Sequence, residues 1–295
     1  MLGPLIQSLR PHQWIKNAFV AAPVIFAQKL ADGEAAGRAL LAAVLFSLLS
    51  GSVYLRNDLA DLEKDRAHPL KRHRPIASGR LPVRAANLAS IVLAAGALGA
   101  GFALDPKFAA VAACYFTVNL AYSRGLKNVA LLDVGIIALG FLLRILAGGY
   151  AIHVAVSPWL ALCTFLLALY MGMGKRLHEL LTAGADGERQ RSSLRAYRRR
   201  PLAVAMAGVA LVTLAAYSAY TLEQHTAEMF RTNQLPWSIP FCAVGIARFF
   251  WLTTRRDRLV SPTEQIVRDP VFIANLGAWG LGILWIIYIH GHGVS

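Results

Sequence analysis

The sequence predicts an all-α integral membrane protein with nine transmembrane helices. Three observations predict this class: 56% of the 295 residues are hydrophobic, only 16% are charged, and long apolar runs recur along the chain. Ordinary globular domains are about a quarter charged and disordered chains are poor in apolar residues, so both classes are excluded. Strand-like alternation of apolar and polar residues is absent, which excludes a membrane barrel.

Nine apolar runs are candidates for these helices, since a helix needs roughly 20 apolar residues to cross the hydrocarbon layer. Six of the runs carry no charge: residues 39–55, 85–104, 108–123, 155–174, 201–222 and 271–289. Two more, 129–152 and 235–254, contain only isolated charges. The ninth, 14–30, is the weakest candidate because it is short and contains Lys16 and Pro23.

The distribution of Lys and Arg predicts the orientation of the spans. With the N-terminus inside, alternation of nine spans places 24 of the 30 basic residues in inside segments and 4 in outside segments. An excess of basic residues is typical of cytoplasmic loops, so we expect a cytoplasmic N-terminus and an outside C-terminus. The same excess explains the net charge of +14 without a nucleic-acid partner. The three cysteines lie inside apolar runs without CxxC spacing, so no disulfide framework or zinc site is predicted.

An acid-rich stretch, NDLADLEKD from Asn57 to Asp65, follows the second predicted span. In a continuous helix, Tyr54, Asp58, Asp61 and Asp65 share one face. Carboxylates crowded on one face repel each other unless a cation lies between them, and Mg²⁺ takes carboxylate oxygens while bridging to substrate phosphates. The alternative is a solvated helix end paired with nearby basic residues. The position at the cytoplasmic end of an apolar helix favours the metal-phosphate site.

A basic segment, HPLKRHRPIASGR at residues 68–80, comes directly after these acids. Its cations beside three carboxylates suit a diphosphate carried with its metal. Taken without its neighbours, the segment favours an ordinary cytoplasmic loop or a surface attracted to anionic lipid. Neither GxxxxGK[ST] nor GxGxxG is present, so the sequence predicts no P-loop or Rossmann site.

Asp133 is a second acid, about one turn into the fifth predicted helix, and Arg144 follows on nearly the same helix face. At 1.5 Å per residue, Arg144 lies about 16 Å deeper in the membrane. An ionisable residue at that depth is costly and usually faces a cavity or a partner. Arg144 is therefore either an anion clamp inside a cavity or a structural partner for a helix carbonyl or an acid.

The sixth predicted span closes with GKRLHE, in which Lys175 and Glu179 lie one helical turn apart. An ordinary ion pair between residues four apart explains this spacing. The alternative is contact of Lys175 or Arg176 with a substrate phosphate at a cavity mouth.

The order of these motifs resembles the UbiA-type membrane prenyltransferase superfamily. NDxxDxxxD follows the second span, RPxxSG comes next, and YxxxLK precedes the fifth span. LRPHQWIKN, HPLKRHRPIASG, GFLLRILAGG and GKRLHEL resemble its decaprenyl-phosphate phosphoribosyltransferase branch more closely. Most superfamily members carry a second motif with two aspartates four apart, whereas here Ile137 stands four residues after Asp133. The resemblance implies one domain over residues 1–295, with nine helices around a central cavity open to the cytoplasmic side of a bacterial-type inner membrane.

For the site, the resemblance implies phosphoribosyl pyrophosphate as donor, a polyprenyl (decaprenyl) phosphate as acceptor and Mg²⁺ held by Asp58, Asp61 and Asp65. Asp133 would hold a second metal or a ribose hydroxyl, and Arg144 would guide the lipid phosphate. The substrate-binding residues that it implies are Lys16, Asn17, Tyr54, Asn57, Lys71, Arg74, Tyr122, Lys127, Arg144, Lys175 and Arg176.

Two other functions are compatible with parts of the sequence. The first is prenyl transfer from a polyprenyl diphosphate to an aromatic acid, and the missing second aspartate after Asp133 argues against it. The second is secondary transport of an anionic metabolite. Transporter sites usually lie near the membrane midplane at broken helices, whereas the acids here cluster at the cytoplasmic edge.

Overall fold

A computed structural model of the chain describes residues 2–182, 192–255 and 262–290, and these ranges contain helices and turns without any strand. The basic segments 183–191 and 256–261, which contribute to the predicted topology, lie outside them. Seven described helices are long and apolar enough to cross a membrane: Gly33–Ala60, Val83–Leu104, Leu132–Ala151, Pro158–Thr182, Arg199–Leu222, Leu235–Thr254 and Pro270–Ile289. The prediction of an all-α, multi-pass membrane protein is confirmed.

The chain divides into two compact units, the first comprising Met1–Lys127 and Gly140–Val156, the second Asn128–Leu139 and Ser157–Ser295. The helices of the first unit, in chain order, are α1 (Leu2–Leu9), α2 (Ala22–Phe26), α3 (Gly33–Ala60), α4 (Leu62–Ala67), α5 (Val83–Leu104) and α6 (Pro106–Arg124). Helix α7 (Leu132–Ala151) contributes to both units. The second unit contains α8 (Pro158–Thr182), α9 (Arg199–Leu222), α10 (Gln224–Phe230), α11 (Ile239–Thr254), α12 (Pro262–Gln265) and α13 (Pro270–Trp285).

The first predicted span, 14–30, is not one continuous α-helix. A 3₁₀ helix covers Pro11–Val20, and the short α2 follows after a turn at Ala21. Pro23 has no backbone N–H to continue a hydrogen-bonded ladder from the preceding turn. Helix α6 covers the predicted span 108–123 and is 19 residues long, but it is less apolar than the seven helices above.

The bend after Val20 packs closely against α7. A Cβ atom at Gly148 would collide with the backbone carbonyl oxygen of Val20 and would lie 3.2 Å from Cδ of Pro23. Only glycine permits this approach of two backbones, as at many helix contacts in membranes. The broken first segment is therefore held against α7 by backbone packing.

Arg38, in the first turns of α3, ties three helices together at the end remote from the acid-rich stretch. Its Nε donates a hydrogen bond to the carbonyl oxygen of Ala151 at 2.6 Å, and its Nη2 donates to that of Leu104 at 2.8 Å. Both carbonyls belong to the last residues of their helices, where a cation also offsets the negative end of the helix dipole.

A small apolar cluster anchors the basic segment to the C-terminal end of α3. Leu55, Ile76, Leu81 and Ala86 are at most 2% exposed and pack together with Leu9. Because Ile76 and Leu81 flank the turn that follows Arg74, their burial holds this arginine beside the acids.

In the second unit, Val134 of α7 is buried with Tyr170, Met173 and Leu177 of α8. Gly172 of α8 faces Val134, and an added Cβ there would lie 3.4 Å from that of the valine. This packing fixes the start of α7, which carries Asp133, against α8.

We expect Gly148→Ala to destabilise the protein by about 1–3 kcal/mol, because an added methyl in a packed contact forces the backbone apart. Gly99→Ala on α5 is the matched control, since an added Cβ there meets nothing within 4 Å. The apparent melting temperature in detergent measures both, and equal values for the two variants would contradict the packing described.

Candidate functional site

The acid-rich stretch does not form one unbroken helix. Helix α3 ends at Ala60, Asp61 has φ −98° and ψ 10°, and α4 begins at Leu62. Hydrogen bonds from Asp61 N–H to Asn57 O at 3.0 Å and from Asp65 N–H to Asp61 O at 2.8 Å keep the turns in register. The three acids differ in exposure. The side chains of Asp58 and Asp65 are 3% and 4% exposed, whereas that of Asp61 is 20% exposed.

Asp58 and Asp65 share one guanidinium nitrogen. Nη1 of Arg74 lies 3.1 Å from Oδ1 of Asp58 and 2.6 Å from Oδ2 of Asp65. Nη2 of Arg10 donates to the same Oδ1 of Asp58 at 2.6 Å. Two buried carboxylates thus face a single point, and a cation already lies between them. The spacing of the acids predicted one shared face for Asp58, Asp61 and Asp65, whereas only Asp58 and Asp65 face this guanidinium.

Asp61 has a different partner. Nζ of Lys127 donates to Oδ1 at 2.7 Å and to Oδ2 at 2.6 Å. Lys127 lies in the 3₁₀ helix Leu126–Asn128 that follows α6, so the YxxxLK motif meets the acid-rich stretch. Arg10, Arg74, Lys127 and the three aspartates together are called the charge array below.

The donor set of the array fits a magnesium ion in part. In the described ranges, no three His, Cys, Asp or Glu side chains are grouped to hold a metal, so the predicted set of three carboxylates is not brought together. Asp58 and Asp65 alone converge, and Mg²⁺ commonly takes one or two carboxylates and completes its shell with water and substrate phosphates. Asp58 and Asp65 therefore offer carboxylate oxygens that face the same point, which is the kind of ligand that Mg²⁺ takes.

Arg10 is a site residue that sequence reasoning missed. It adopts the left-handed conformation, with φ 53° and ψ 60°, immediately before Pro11, and its guanidinium lies 5.1 Å from the ring centroid of Tyr54. The residue before a proline is disfavoured in the right-handed helical region. The Arg10-Pro11 pair could therefore have predicted a turn at this position. In the same segment Lys16 is exposed and donates to Oε1 of Gln13 at 3.3 Å.

Arg144 is 6% exposed and bonds to protein acceptors in the first unit. Its Nε donates to Oδ1 of Asn17 at 2.8 Å, its Nη1 to the carbonyl oxygen of Gly140 at 2.8 Å, and its Nη2 to the Tyr115 hydroxyl at 2.9 Å. Nδ2 of Asn17 in turn donates to Oγ of Ser47 at 3.0 Å. These contacts favour the structural alternative for Arg144 and bind the 3₁₀ segment to α7.

Three further predicted residues, Lys71, Asn57 and Tyr122, also belong to the first unit. Lys71 is exposed, and its backbone N–H bonds to Nδ1 of His68 at 3.3 Å. Asn57 and Tyr122 are half-buried, on α3 and α6 respectively.

Asp133 lies in a separate buried network in the second unit, at 0% exposure. It accepts hydrogen bonds from the Tyr197 hydroxyl at 2.6 Å and from Oγ of Ser193 at 3.2 Å. Nε of Arg176 lies 3.0 Å from Oδ2 of Asp133, and Nη1 of Arg176 pairs with Glu179. Glu179 thus pairs with Arg176, three residues before it, whereas the sequence had suggested Lys175, which is half-buried on the same helix.

Tyr197 and Ser193 were not predicted as members of this network. Burial, together with the hydrogen bond that it donates to Asp133, raises the pKa of Tyr197 to about 12. The phenol therefore stays protonated at neutral pH and remains a donor. Its oxygen also accepts the backbone N–H of Leu131 at 2.7 Å, which fixes the residues just before α7.

Comparison with known families decides the identity of the fold. The model of the UbiA prenyltransferase family matches residues 18–259. The chain belongs to the UbiA prenyltransferase family. The resemblance inferred from the motifs is confirmed, and the matched residues include the Asp133 network and every member of the charge array except Arg10.

Two curated relatives carry the same name. A decaprenyl-phosphate phosphoribosyltransferase of Corynebacterium glutamicum is 34% identical over 300 residues, which is 97% of this chain and 87% of that protein. One of Mycolicibacterium smegmatis is 41% identical over 201 residues, which is 67% of this chain and 63% of that protein.

Among solved structures, a UbiA homolog from Archaeoglobus fulgidus bound to GPP and Mg2+ is similar to this chain with a TM-score of 0.70. The similarity covers 95% of this chain and 99% of the other, at 18% sequence identity. At that identity the likeness shows the UbiA fold alone.

We expect Arg176→Gln to destabilise the protein by about 3–5 kcal/mol, because it leaves the buried Asp133 without its cation. Arg66→Gln is the control, since Arg66 and Glu63 form an exposed pair worth about 0–1 kcal/mol. Apparent melting temperatures in detergent compare the two. The double variant Asp133→Asn/Arg176→Gln should be more stable than Arg176→Gln, and the opposite order would contradict a charge pairing.

Proposed function

We propose that this chain transfers 5-phosphoribosyl from phosphoribosyl pyrophosphate to a polyprenyl phosphate such as decaprenyl phosphate, with Mg²⁺, and releases pyrophosphate. The observation that carries the proposal is the charge array, in which Asp58 and Asp65 share Arg74 while Asp61 holds Lys127. The relatives from Corynebacterium glutamicum and Mycolicibacterium smegmatis, both named decaprenyl-phosphate phosphoribosyltransferase, support this donor and acceptor.

The array is suited to exchange its internal ion pairs for a metal-bound diphosphate. Phosphate oxygens can replace the carboxylates as partners of Arg10, Arg74 and Lys127, since charge-assisted bonds to phosphate are as short as those to carboxylate. When these cations turn to the donor, Asp58 and Asp65 become free to hold Mg²⁺. The bound ion would neutralise charge on the leaving pyrophosphate. Arg74, 29% exposed, can move without unpacking the core.

The transfer breaks the bond between the anomeric carbon of the ribose and the pyrophosphate oxygen. A phosphate oxygen of the lipid supplies the electron pair for the new bond to that carbon, and the leaving oxygen keeps the pair of the broken bond. Positive charge gathers on the ribose ring, so Asp61 is placed to stabilise it once Lys127 contacts the donor. The lipid phosphate is already anionic, so no general base is needed.

We place the array on the cytoplasmic side of a bacterial-type inner membrane, where the soluble donor is found. In this topology the bent segment 14–30 and α6 complete nine spans, with the N-terminus inside and the C-terminus outside. The whole chain, 1–295, then acts as a single domain of the family. Three further points stay predictions. They are a cavity open to the cytoplasm, a second-metal or ribose role for Asp133, and phosphate contacts by Lys16, Lys71 and Lys175.

The decisive assay offers the purified protein phosphoribosyl pyrophosphate and decaprenyl phosphate, with Mg²⁺ or with chelator, and detects the product by mass spectrometry. We expect metal-dependent polyprenylphosphoryl-phosphoribose, and about a 10²–10³-fold lower rate for Asp65→Asn, the usual effect of removing one electrostatic contact to a developing charge. Glu63→Gln is the control, because Glu63 lies on the same short helix and is 81% exposed.

Two results would overturn this function. Transfer from a polyprenyl diphosphate to 4-hydroxybenzoate, without phosphoribosyl transfer, would assign the chain to aromatic prenyltransfer. Uptake of an anionic metabolite into vesicles without any new covalent product would make it a transporter.

Lys127→Gln should raise the KM for phosphoribosyl pyrophosphate about tenfold, equivalent to about 1.4 kcal/mol, because a phosphate-binding cation is lost. Steady-state kinetics at saturating lipid measure this effect, with the exposed Lys64→Gln on α4 as the control. An unchanged KM in Lys127→Gln would remove Lys127 from the donor site and leave it as a partner of Asp61 alone.

A further inference from the structure

A cavity of about 550 Å³ lies at the inner ends of α3, α5 and α6, within the first unit. Its volume is in the range of ordinary ligand sites, roughly 300–1,000 Å³. Leu59, Val83, Phe116 and Leu120 are among the apolar residues of its wall. None of the six residues of the charge array lines it, although Ala60 and Leu62, on either side of Asp61, do. The cavity therefore adjoins the charge array without including it.

Three arginines, Arg56, Arg84 and Arg124, line the same cavity. Nη1 of Arg56 donates to Oδ1 of Asn87, also a lining residue, at 2.9 Å, which orients this guanidinium. Arg84 and Arg124 are exposed. Within the described part of the chain, none of the three pairs with a carboxylate, and the lining contains no Asp or Glu. The cavity therefore carries three positive charges that its own walls do not neutralise.

The position of the cavity indicates what kind of molecule it takes. Leu59 and Ala60 end the membrane-spanning helix Gly33–Ala60, and Val83 and Arg84 begin the span Val83–Leu104. The ends of spans lie at the level of the lipid headgroups. A molecule bound there meets apolar side chains on the membrane side and guanidinium groups on the aqueous side. Basic pockets between helices at a cytoplasmic boundary are typical sites for anionic headgroups.

We propose that this cavity binds an anionic phospholipid of the surrounding membrane. The phosphate of the headgroup pairs with Arg84 and Arg124, while the first part of an acyl chain packs on Phe116 and Leu120. Arg56, held by Asn87, contributes a third cation from α3. Such a lipid ties the inner ends of three helices together beside the charge array, and it is not consumed in any reaction.

The proposal is tested by adding phosphatidylglycerol or phosphatidylcholine, with identical acyl chains, to delipidated protein in detergent. Native mass spectrometry counts the lipid molecules that remain bound. We expect wild-type protein to retain one phosphatidylglycerol at least tenfold more tightly than phosphatidylcholine. Arg84→Gln/Arg124→Gln should lose that preference, whereas Arg84→Lys/Arg124→Lys should keep most of it. The matched control is Arg268→Gln, which removes an exposed arginine from the 3₁₀ helix Ile266–Arg268 and should bind as wild type does.

Four outcomes would overturn the proposal. Equal binding of the two phospholipids would mean that only the apolar wall contributes. Unchanged phosphatidylglycerol binding in Arg84→Gln/Arg124→Gln would place the lipid elsewhere. Displacement of phosphatidylglycerol by equimolar polyprenyl phosphate would assign the cavity to the acceptor, and displacement by millimolar inorganic phosphate would assign it to the ion alone.

The phospholipid site and the transferase function are tested separately. Asp65→Asn should lose product formation while retaining phosphatidylglycerol, because Asp65 does not line the cavity. If phosphatidylglycerol binds as expected in a chain that forms no phosphoribosyl product, the lipid site stands and the proposed function falls.

Discussion

The cost of burying carboxylates governs the structure around the C-terminal end of α3. An unpaired buried carboxylate costs several kcal/mol, so Asp58 and Asp65 are stable there only beside cations. Arg74 reaches both because the burial of Ile76 and Leu81 holds its segment against α3. Arg10 reaches Asp58 because the backbone turns into the left-handed region before Pro11. The segments that carry Arg10 and Arg74 are thus positioned so that both buried aspartates have a cation beside them.

The sequence alone predicted those structural features whose physical cause lies in residues close together along the chain. Apolar runs predicted the long helices, and the spacing of the acids predicted one face for Asp58, Asp61 and Asp65, of which Asp58 and Asp65 face the same guanidinium. Arg10 was missed because its partner is 48 residues away and depends on a backbone conformation that no periodicity encodes. Tyr197 was missed for the same reason, since 64 residues separate it from Asp133. Contacts of this kind are set by tertiary packing.

Arg144 and Asp133 are two ionisable residues of α7, and each has polar partners from other parts of the chain. Each charge in the apolar region is surrounded by donors or acceptors of complementary type, as the cost of an intramembrane charge requires. The Arg144 guanidinium also lies 4.7 Å from the Tyr115 ring centroid and 5.2 Å from that of Phe141. Aromatic faces and neutral acceptors hold this cation without a carboxylate, which the sequence alone left open.

The charge array balances three carboxylates against three cations, so in the absence of substrate it is electrically neutral. In the proposed site, a metal ion entering alone between Asp58 and Asp65 would leave Arg10 and Arg74 without counterions, and a diphosphate entering alone would do the same to the two aspartates. The two arriving as one complex would satisfy both sets at once. The array would therefore couple the loading of metal and donor thermodynamically, so that each raises the affinity for the other. We expect a site of this kind to hold bare divalent ions weakly until the donor is present.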